Sequence, residues 1–180
     1  EKDLKMLDIP RKIFYQNEQV LKEALKQYPE NILNYIELGK FYKDRKRFVE
    51  AEAILKEAID IDAKNISPYL ELGYLYAFQG RYSLAEKQFI KAMKIEPMNG
   101  TVYIELGKFY EKIGYFTRAA ELFNKAVEIQ PKEAVFYMEL SQFYERENNT
   151  EGAEVVLRKA SEIIPESDLI ASHLGRLYRN

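Results

Sequence analysis

Tyr35-Ile36-Glu37-Leu38-Gly39, Tyr69-Leu70-Glu71-Leu72-Gly73 and Tyr103-Ile104-Glu105-Leu106-Gly107 are one five-residue phrase written three times, and Tyr137-Met138-Glu139-Leu140-Ser141 is a fourth copy. A step of 34 residues separates Leu38, Leu72, Leu106 and Leu140. The same step relates Tyr42, Tyr76, Tyr110 and Tyr144, and then Ala51, Ala85, Ala119 and Ala153. It relates Leu55, Phe89, Phe123 and Leu157, and also Ala58, Ala92, Ala126 and Ala160, while Pro97, Pro131 and Pro165 close three of the four copies. Self-similarity at a period of this length is the mark of stacked supersecondary units.

Within each copy the apolar spacing is helical. Tyr35, Leu38, Gly39 and Tyr42 fall at i, i+3, i+4 and i+7, one face of a helix. Ala51, Leu55 and Ala58 form the matching face of a second helix. The small residues let the two backbones approach, and Tyr42 and Leu55 fill the space beside them. Proline after the second helix ends it, because it lacks an amide hydrogen and clashes with the preceding turn. The spacing predicts first helices over 32–45, 66–79, 100–113 and 134–147, and second helices over 48–61, 82–96, 116–130 and 150–164.

Eight spaced positions recurring in four tandem copies resemble the tetratricopeptide repeat family, over roughly residues 32–178. Departures are local. Tyr stands for the usual Trp, Ser141 for a Gly, and Ala63 for a Pro. Lys46 and Asn148 occupy the turn position that Gly80 and Gly114 hold elsewhere. The resemblance implies an all-α, right-handed superhelical solenoid of antiparallel helix pairs. It divides the chain into units 32–65, 66–99, 100–133 and 134–167, after a degenerate helical segment over 1–31 and before a capping helix or partial fifth unit over 168–180. In the N-terminal segment an amphipathic helix is predicted over 11–28, with Ile13, Phe14, Val20, Leu21, Ala24, Leu25 and Tyr28 on a broad face and Asn17 interrupting it. The stretch 1–9 is expected to be short helix or frayed chain. The first residue, Glu1, is not Met, which suggests a fragment or a processed product.

Charge and composition narrow the functional classes. The formal net charge is -2 and the pI about 5.7, with no basic stripe to suit a nucleic acid. No apolar run reaches the length of a membrane span, so no membrane insertion is expected; a soluble, cytoplasmic protein is the default reading. There is no cysteine, and His173 is the one histidine, so neither a metal set nor a Ser-His or Cys-His arrangement has material to work with. His173 reads as a helix-surface residue. Asp60 and Asp62 lie at a helix end without the glycine and closing glutamate of a calcium loop. No catalytic residue, metal or cofactor is assigned, and the chain reads as a non-enzyme.

The informative surface is the wall of the first helices that faces away from the repeated core. At about 100° per residue, positions 2, 5, 6, 9, 12 and 13 of each unit lie opposite the core positions 4, 7, 8 and 11. The family resemblance implies that this wall lines a concave ligand groove. Position 5 carries Ile36, Leu70, Ile104 and Met138, and position 6 an unbroken row, Glu37, Glu71, Glu105 and Glu139. Position 9 carries Lys40, Tyr74, Lys108 and Gln142. In the second unit Leu70, Tyr74, Ala77 and Phe78 make an apolar, aromatic patch flanked by Glu71, Glu105, Lys40 and Lys108. These residues suit a partner peptide or helix whose apolar anchor packs on Tyr74 and Phe78 and whose basic side chains meet the glutamates. The three-residue spacing of Glu37–Lys40 and Glu105–Lys108 also allows simple helix-stabilising pairs, and for Tyr74 and Phe78 binding is favoured over local packing against the next helix. Some tetratricopeptide domains grip an acidic carboxyl-terminal tail with Lys, Asn and Arg. Here position 5 is apolar and position 6 acidic throughout, so such tails should not bind. The leading expectation is therefore a protein–protein interaction domain. The alternative is a structural scaffold that self-associates through its end units or convex face.

Overall fold

The structure, a computed structural model, describes residues 18–179. They fall into two compact units that divide between Ile95 and Glu96. Among the described residues there are ten helices and no strands: the fold is an all-α repeat of antiparallel helix pairs. The predicted helix over 11–28 is represented by its described part; Ile13, Phe14, Asn17 and the stretch 1–9 lie outside the described residues.

The N-terminal unit contains α1 (Glu18–Gln27), α2 (Ile32–Asp44), α3 (Phe48–Ile61), α4 (Ser67–Phe78) and α5 (Tyr82–Ile95). Helices α2 and α3 form one pair and α4 and α5 the next; α3 packs on α4, α1 on α2, and the first helices α2 and α4 lie against each other. The C-terminal unit repeats this with α6 (Gly100–Lys112) on α7 (Phe116–Ile129), α8 (Ala134–Arg146) on α9 (Thr150–Ile163), and α10 (Asp168–Leu177) docked on α9 and α8.

Helix starts and stops follow from the side chains. Asn31 and Asn99 accept the amide hydrogens of Leu33 and Thr101 at 3.1 and 3.0 Å, and Asn149 that of Gly152 at 2.8 Å. Each satisfies a donor that the helix itself leaves unpaired. All four turns between paired helices end in one motif. The amides of Arg47, Arg81, Tyr115 and Asn149 donate to the carbonyls of Tyr42, Tyr76, Tyr110 and Tyr144, at 2.8–2.9 Å. The residue before each donor takes a positive φ: 60° at Lys46, 73° at Gly80, 83° at Gly114 and 57° at Asn148. This is the left-handed helix cap that glycine adopts without steric cost, so Lys46 carries strain that Gly80 and Gly114 do not.

The core lies between paired helices. The alanines at 51, 58, 85, 92, 119, 126, 153 and 160 are fully buried, as are Phe89, Phe123 and Leu157. A Cβ at Gly39, Gly73 or Gly107 would come within 2.7, 2.7 and 3.0 Å of Leu55, Phe89 and Phe123 respectively. Glycine recurs there because the bulky residue of the second helix fills the space a side chain would need. Ser141 takes that place in the fourth copy, and its hydroxyl is buried without a hydrogen-bond partner.

Candidate interaction surface

The wall of the first helices is built separately in each unit. In the N-terminal unit, α2 and α4 bring four charges together. Lys40 Nζ lies 3.1 Å from Glu37 Oε1 and 3.6 Å from Glu71 Oε1, and Lys43 Nζ lies 3.0 Å from Glu71 Oε2. Burial works against the charge on Lys40, but the Glu37 hydrogen bond and the Glu71 charge outweigh it and raise its pKa. Lys43 also sits 5.7 Å from the centre of the Tyr74 ring. Glu71 is therefore clasped by two lysines of the preceding first helix, α2.

The aromatic residues of this unit divide into two roles. Tyr74 is half-buried and meets Phe89 of its own helix pair edge-on, at 5.4 Å between ring centres. Phe78, one turn further on, is 56% exposed, with one contact to the ring of Phe48 at 5.7 Å. Leu70 is half-buried. Phe78 is thus the protruding member of the patch, and Tyr74 and Leu70 form its base.

In the C-terminal unit the corresponding wall is closed by ion pairs. Lys108 Nζ reaches Glu139 Oε1 at 2.6 Å. Arg146 grips Glu111 through two hydrogen bonds of 2.6 and 3.0 Å. Ile104 is 3% exposed and belongs to the interior, while Glu105, Lys108 and Glu139 are half-buried. The sequence places position 5 away from the core, yet Ile36 and Ile104 are buried. The physical reason is that neighbouring first helices lie against each other, α2 with α4 and α6 with α8, so the open wall is narrower than one helix wheel implies.

Two features escaped the sequence reading. The first is the bridge from the position-9 lysine to the glutamate of the next copy, Lys40–Glu71 and Lys108–Glu139, 31 residues apart. The second is a latch between copies. Tyr42 donates from its hydroxyl to Glu18 at 3.0 Å, and Arg47 Nη1 lies 2.6 Å from the same carboxylate. Arg81 meets Glu52 at 3.1 Å in the next copy, and Tyr178 donates to Glu154 at 2.9 Å in the last. The signal was present: Glu18, Glu52 and Glu86 recur at the repeat step, as do Arg47 and Arg81. What was missing was the knowledge that the partner comes from the following copy.

Among the described residues no group of three acidic or histidine side chains could hold a metal ion, and no helix is long and apolar enough to cross a membrane. His173 is partly covered, its Nε2 2.7 Å from Arg176 Nη2 and 3.8 Å from Glu145 Oε1. Burial and then the Arg176 charge hold its pKa below the usual 6.5. Asp62 accepts the amide hydrogen of Lys64 at 2.9 Å and shapes the turn after α3.

Comparison with known proteins agrees with this architecture. Family models of the tetratricopeptide repeat match residues 18–73, 70–134 and 134–167. Among solved structures, MamA is similar with a TM-score of 0.59 at 25% identity, over 81% of this chain and 85% of that one. Yeast Tom70 has a TM-score of 0.76 at 20% identity, over 90% of this chain but 35% of its own length. A thermophilic tetratricopeptide repeat protein of Thermus thermophilus gives 0.67 at 16% identity, over 91% of this chain and 89% of that one. The last two likenesses speak to the fold alone. No curated protein matches the chain in sequence.

Proposed function

The chain belongs to the tetratricopeptide repeat family, whose members are in general protein-interaction modules without catalytic activity, and on that premise we propose that it holds a segment of a partner protein against the wall of its first helices. The principal anchor is in the N-terminal unit, where Phe78 is the exposed ring and Leu70 and Tyr74 are its half-buried base. A large aromatic surface offers contact area at little cost in side-chain entropy. The observation that carries the reading is the exposure of Phe78 beside a compensated, ion-paired surface.

Charge has a secondary part. Glu71 and Glu139 already have lysine partners, so a basic partner side chain must displace Lys40, Lys43 or Lys108 to reach them. An exchange of one half-buried ion pair for another keeps the carboxylate paired and serves selectivity and orientation. Glu37 and Glu105 hold the same repeat position in their own units.

The test is selection of short displayed peptides on the intact protein, followed by titration of the winners against the protein and its Phe78→Ala variant. Loss of an anchor ring should cost about 2 kcal/mol, roughly thirty-fold in Kd. Phe78→Ala should leave the unfolding midpoint nearly unchanged, because the ring is mainly exposed. Winners that bind the variant as tightly as the parent would remove the anchor from this wall.

A further inference from the structure

The outer faces of the second helices change charge from copy to copy. At about 100° per residue, Glu57 and Asp60 of α3 lie opposite the buried Ala51, Leu55 and Ala58. On α5, Lys87, Lys91 and Lys94 lie opposite the buried Ala85, Phe89 and Ala92. All five charged residues are exposed, and none has an ion-pair partner among the described residues. Lys56, one turn from Asp60, is committed to Glu52 at 2.7 Å. Like charges three or four residues apart weaken a helix, so each face carries a charge that nothing on its own helix offsets. Lys91 and Lys94 stand one repeat step, 34 residues, after Glu57 and Asp60. The same two positions are therefore acidic in one copy and basic in the next.

The C-terminal unit serves as a control. At the same positions α7 carries Lys125 and Glu128, and α9 carries Lys159 and Glu162. The sign at each position repeats there instead of reversing, and Lys125 meets Glu128 within its own helix at 3.0 Å. For the N-terminal unit an extended anionic surface is a poor match, because it would meet Glu57 and Asp60 together with the lysines. A partner with both signs at the same spacing is a good match, and the unit itself has that pattern.

We infer that the outer face of α3 and α5 is a self-complementary contact through which two copies of this chain pair. The two second helices run parallel, since each is antiparallel to the first helix of its pair. A two-fold axis along them, midway between α3 and α5, sets α5 of one copy against α3 of the other at the same height. Lys91 then faces Glu57 and Lys94 faces Asp60, and the axis repeats both pairs. Applied to α7 and α9, the same operation would set lysine on lysine and glutamate on glutamate. Nearer the helix starts, exposed Val49 and Ala53 come opposite Ser83 and the stem of Lys87, so the contact also covers apolar surface. Each helix has 14 residues and is about 20 Å long. A face of two such helices is small for a permanent dimer, and exposed charges are screened, so the association is weak and salt-sensitive. It does not use the Phe78 wall.

The test is sedimentation equilibrium of the intact protein at low salt, at concentrations up to about 1 mM, the range of a weak contact. A monomer–dimer equilibrium is expected, with a dissociation constant that rises about ten-fold on going to about 0.5 M salt. Lys91→Glu with Lys94→Glu makes both faces acidic, and Glu57→Lys with Asp60→Lys makes both basic. Each variant should be monomeric with an unchanged circular dichroism spectrum, because all four side chains are exposed. Mixing the two variants should restore dimers. A chain with all four substitutions keeps the net charge of -2 and should pair as the parent does, while Phe78→Ala should leave pairing unchanged. A parent that stays monomeric throughout overturns the proposal. So does a two-site variant that pairs like the parent, or a four-site chain that does not pair. A monomeric parent that sediments with phosphatidylserine vesicles overturns it too, and gives the lysines to an anionic surface.

Discussion

In the unit that ends at Ile95, the first helix α4 closes with an exposed ring, Phe78; in the unit that begins at Glu96, the residue in the same register on α8 is Arg146, and its guanidinium is clamped on Glu111. Both walls carry the same bridge from a position-9 lysine to the glutamate of the next copy, Lys40–Glu71 and Lys108–Glu139. The bridge belongs to the framework that aligns neighbouring first helices. On the proposed reading, recognition comes from the few positions that differ. One unit offers an apolar surface that costs little to desolvate; the other offers charges that already satisfy each other and lose that satisfaction when a ligand covers them.

The sharpest way to strain this comparison is at position 8, where the N-terminal unit has Gly39 and Gly73 and the C-terminal unit has Gly107 but replaces its second glycine by Ser141. Gly73→Val in the N-terminal unit drives a side chain into three Phe89 ring atoms at 2.7–2.9 Å. Overpacking of that kind should cost about 3 kcal/mol in denaturant unfolding. Ser141→Ala in the C-terminal unit should act the other way. It removes a buried hydroxyl that has no partner and should gain about 1 kcal/mol. Equal effects of the same sign would mean that position 8 is not the contact point between paired helices.

A smaller effect separates the turns. Lys46 holds a φ of 60° where the equivalent turn of the C-terminal unit has Gly114 at 83°. Lys46→Gly should stabilise by about 1 kcal/mol and Gly114→Lys should cost a similar amount, both read from the urea midpoint. A destabilised Lys46→Gly variant would show that its side chain has a role the turn geometry does not reveal.

The smallest expected effect is electrostatic and concerns the latches. The carboxyl of Glu18 is held from the usual 4.5 down to about 2 by its hydrogen bond to Lys22, with Arg47 and Tyr42 reinforcing it against burial. A carboxyl depressed in the folded state contributes stability that is fully present above the unfolded value and is lost as pH falls through the folded one. The window therefore runs from about 4.5 down to about 2. Glu154, with Arg158 and Tyr178 as hydrogen-bond partners, is lowered in the same direction. Glu18→Gln should flatten the acid limb of the stability profile measured by thermal melts, leaving the limb carried by Glu154 in place. An unchanged profile would show that solvent screens the latch completely.

Much of the architecture was readable before any coordinates. The first helices predicted from the 34-residue register match α2, α4, α6 and α8 to within a residue or two, and the second helices do likewise. Three kinds of information carried that reading: helical spacing, small residues at close contacts, and proline or glycine at the ends. All are local, and the four copies vote on them together. The candidate wall was less legible. Leu70, Glu71, Tyr74 and Phe78 could be placed on one helix face, but whether a face residue is buried depends on the helix beside it. Ile104 disappears into the interior for that reason, and Glu71 and Glu139 turn out to be occupied by lysines from the preceding copy.

The amino-acid sequence by itself determined the repeat, its helix pairs, and the contact residues inside each pair, because those depend on periodicity and side-chain volume within a few dozen residues. Tertiary structure alone decided which glutamates are already paired and which ring stands proud. Those are properties of neighbours far apart in the chain, and distance through space is what sets burial and charge pairing.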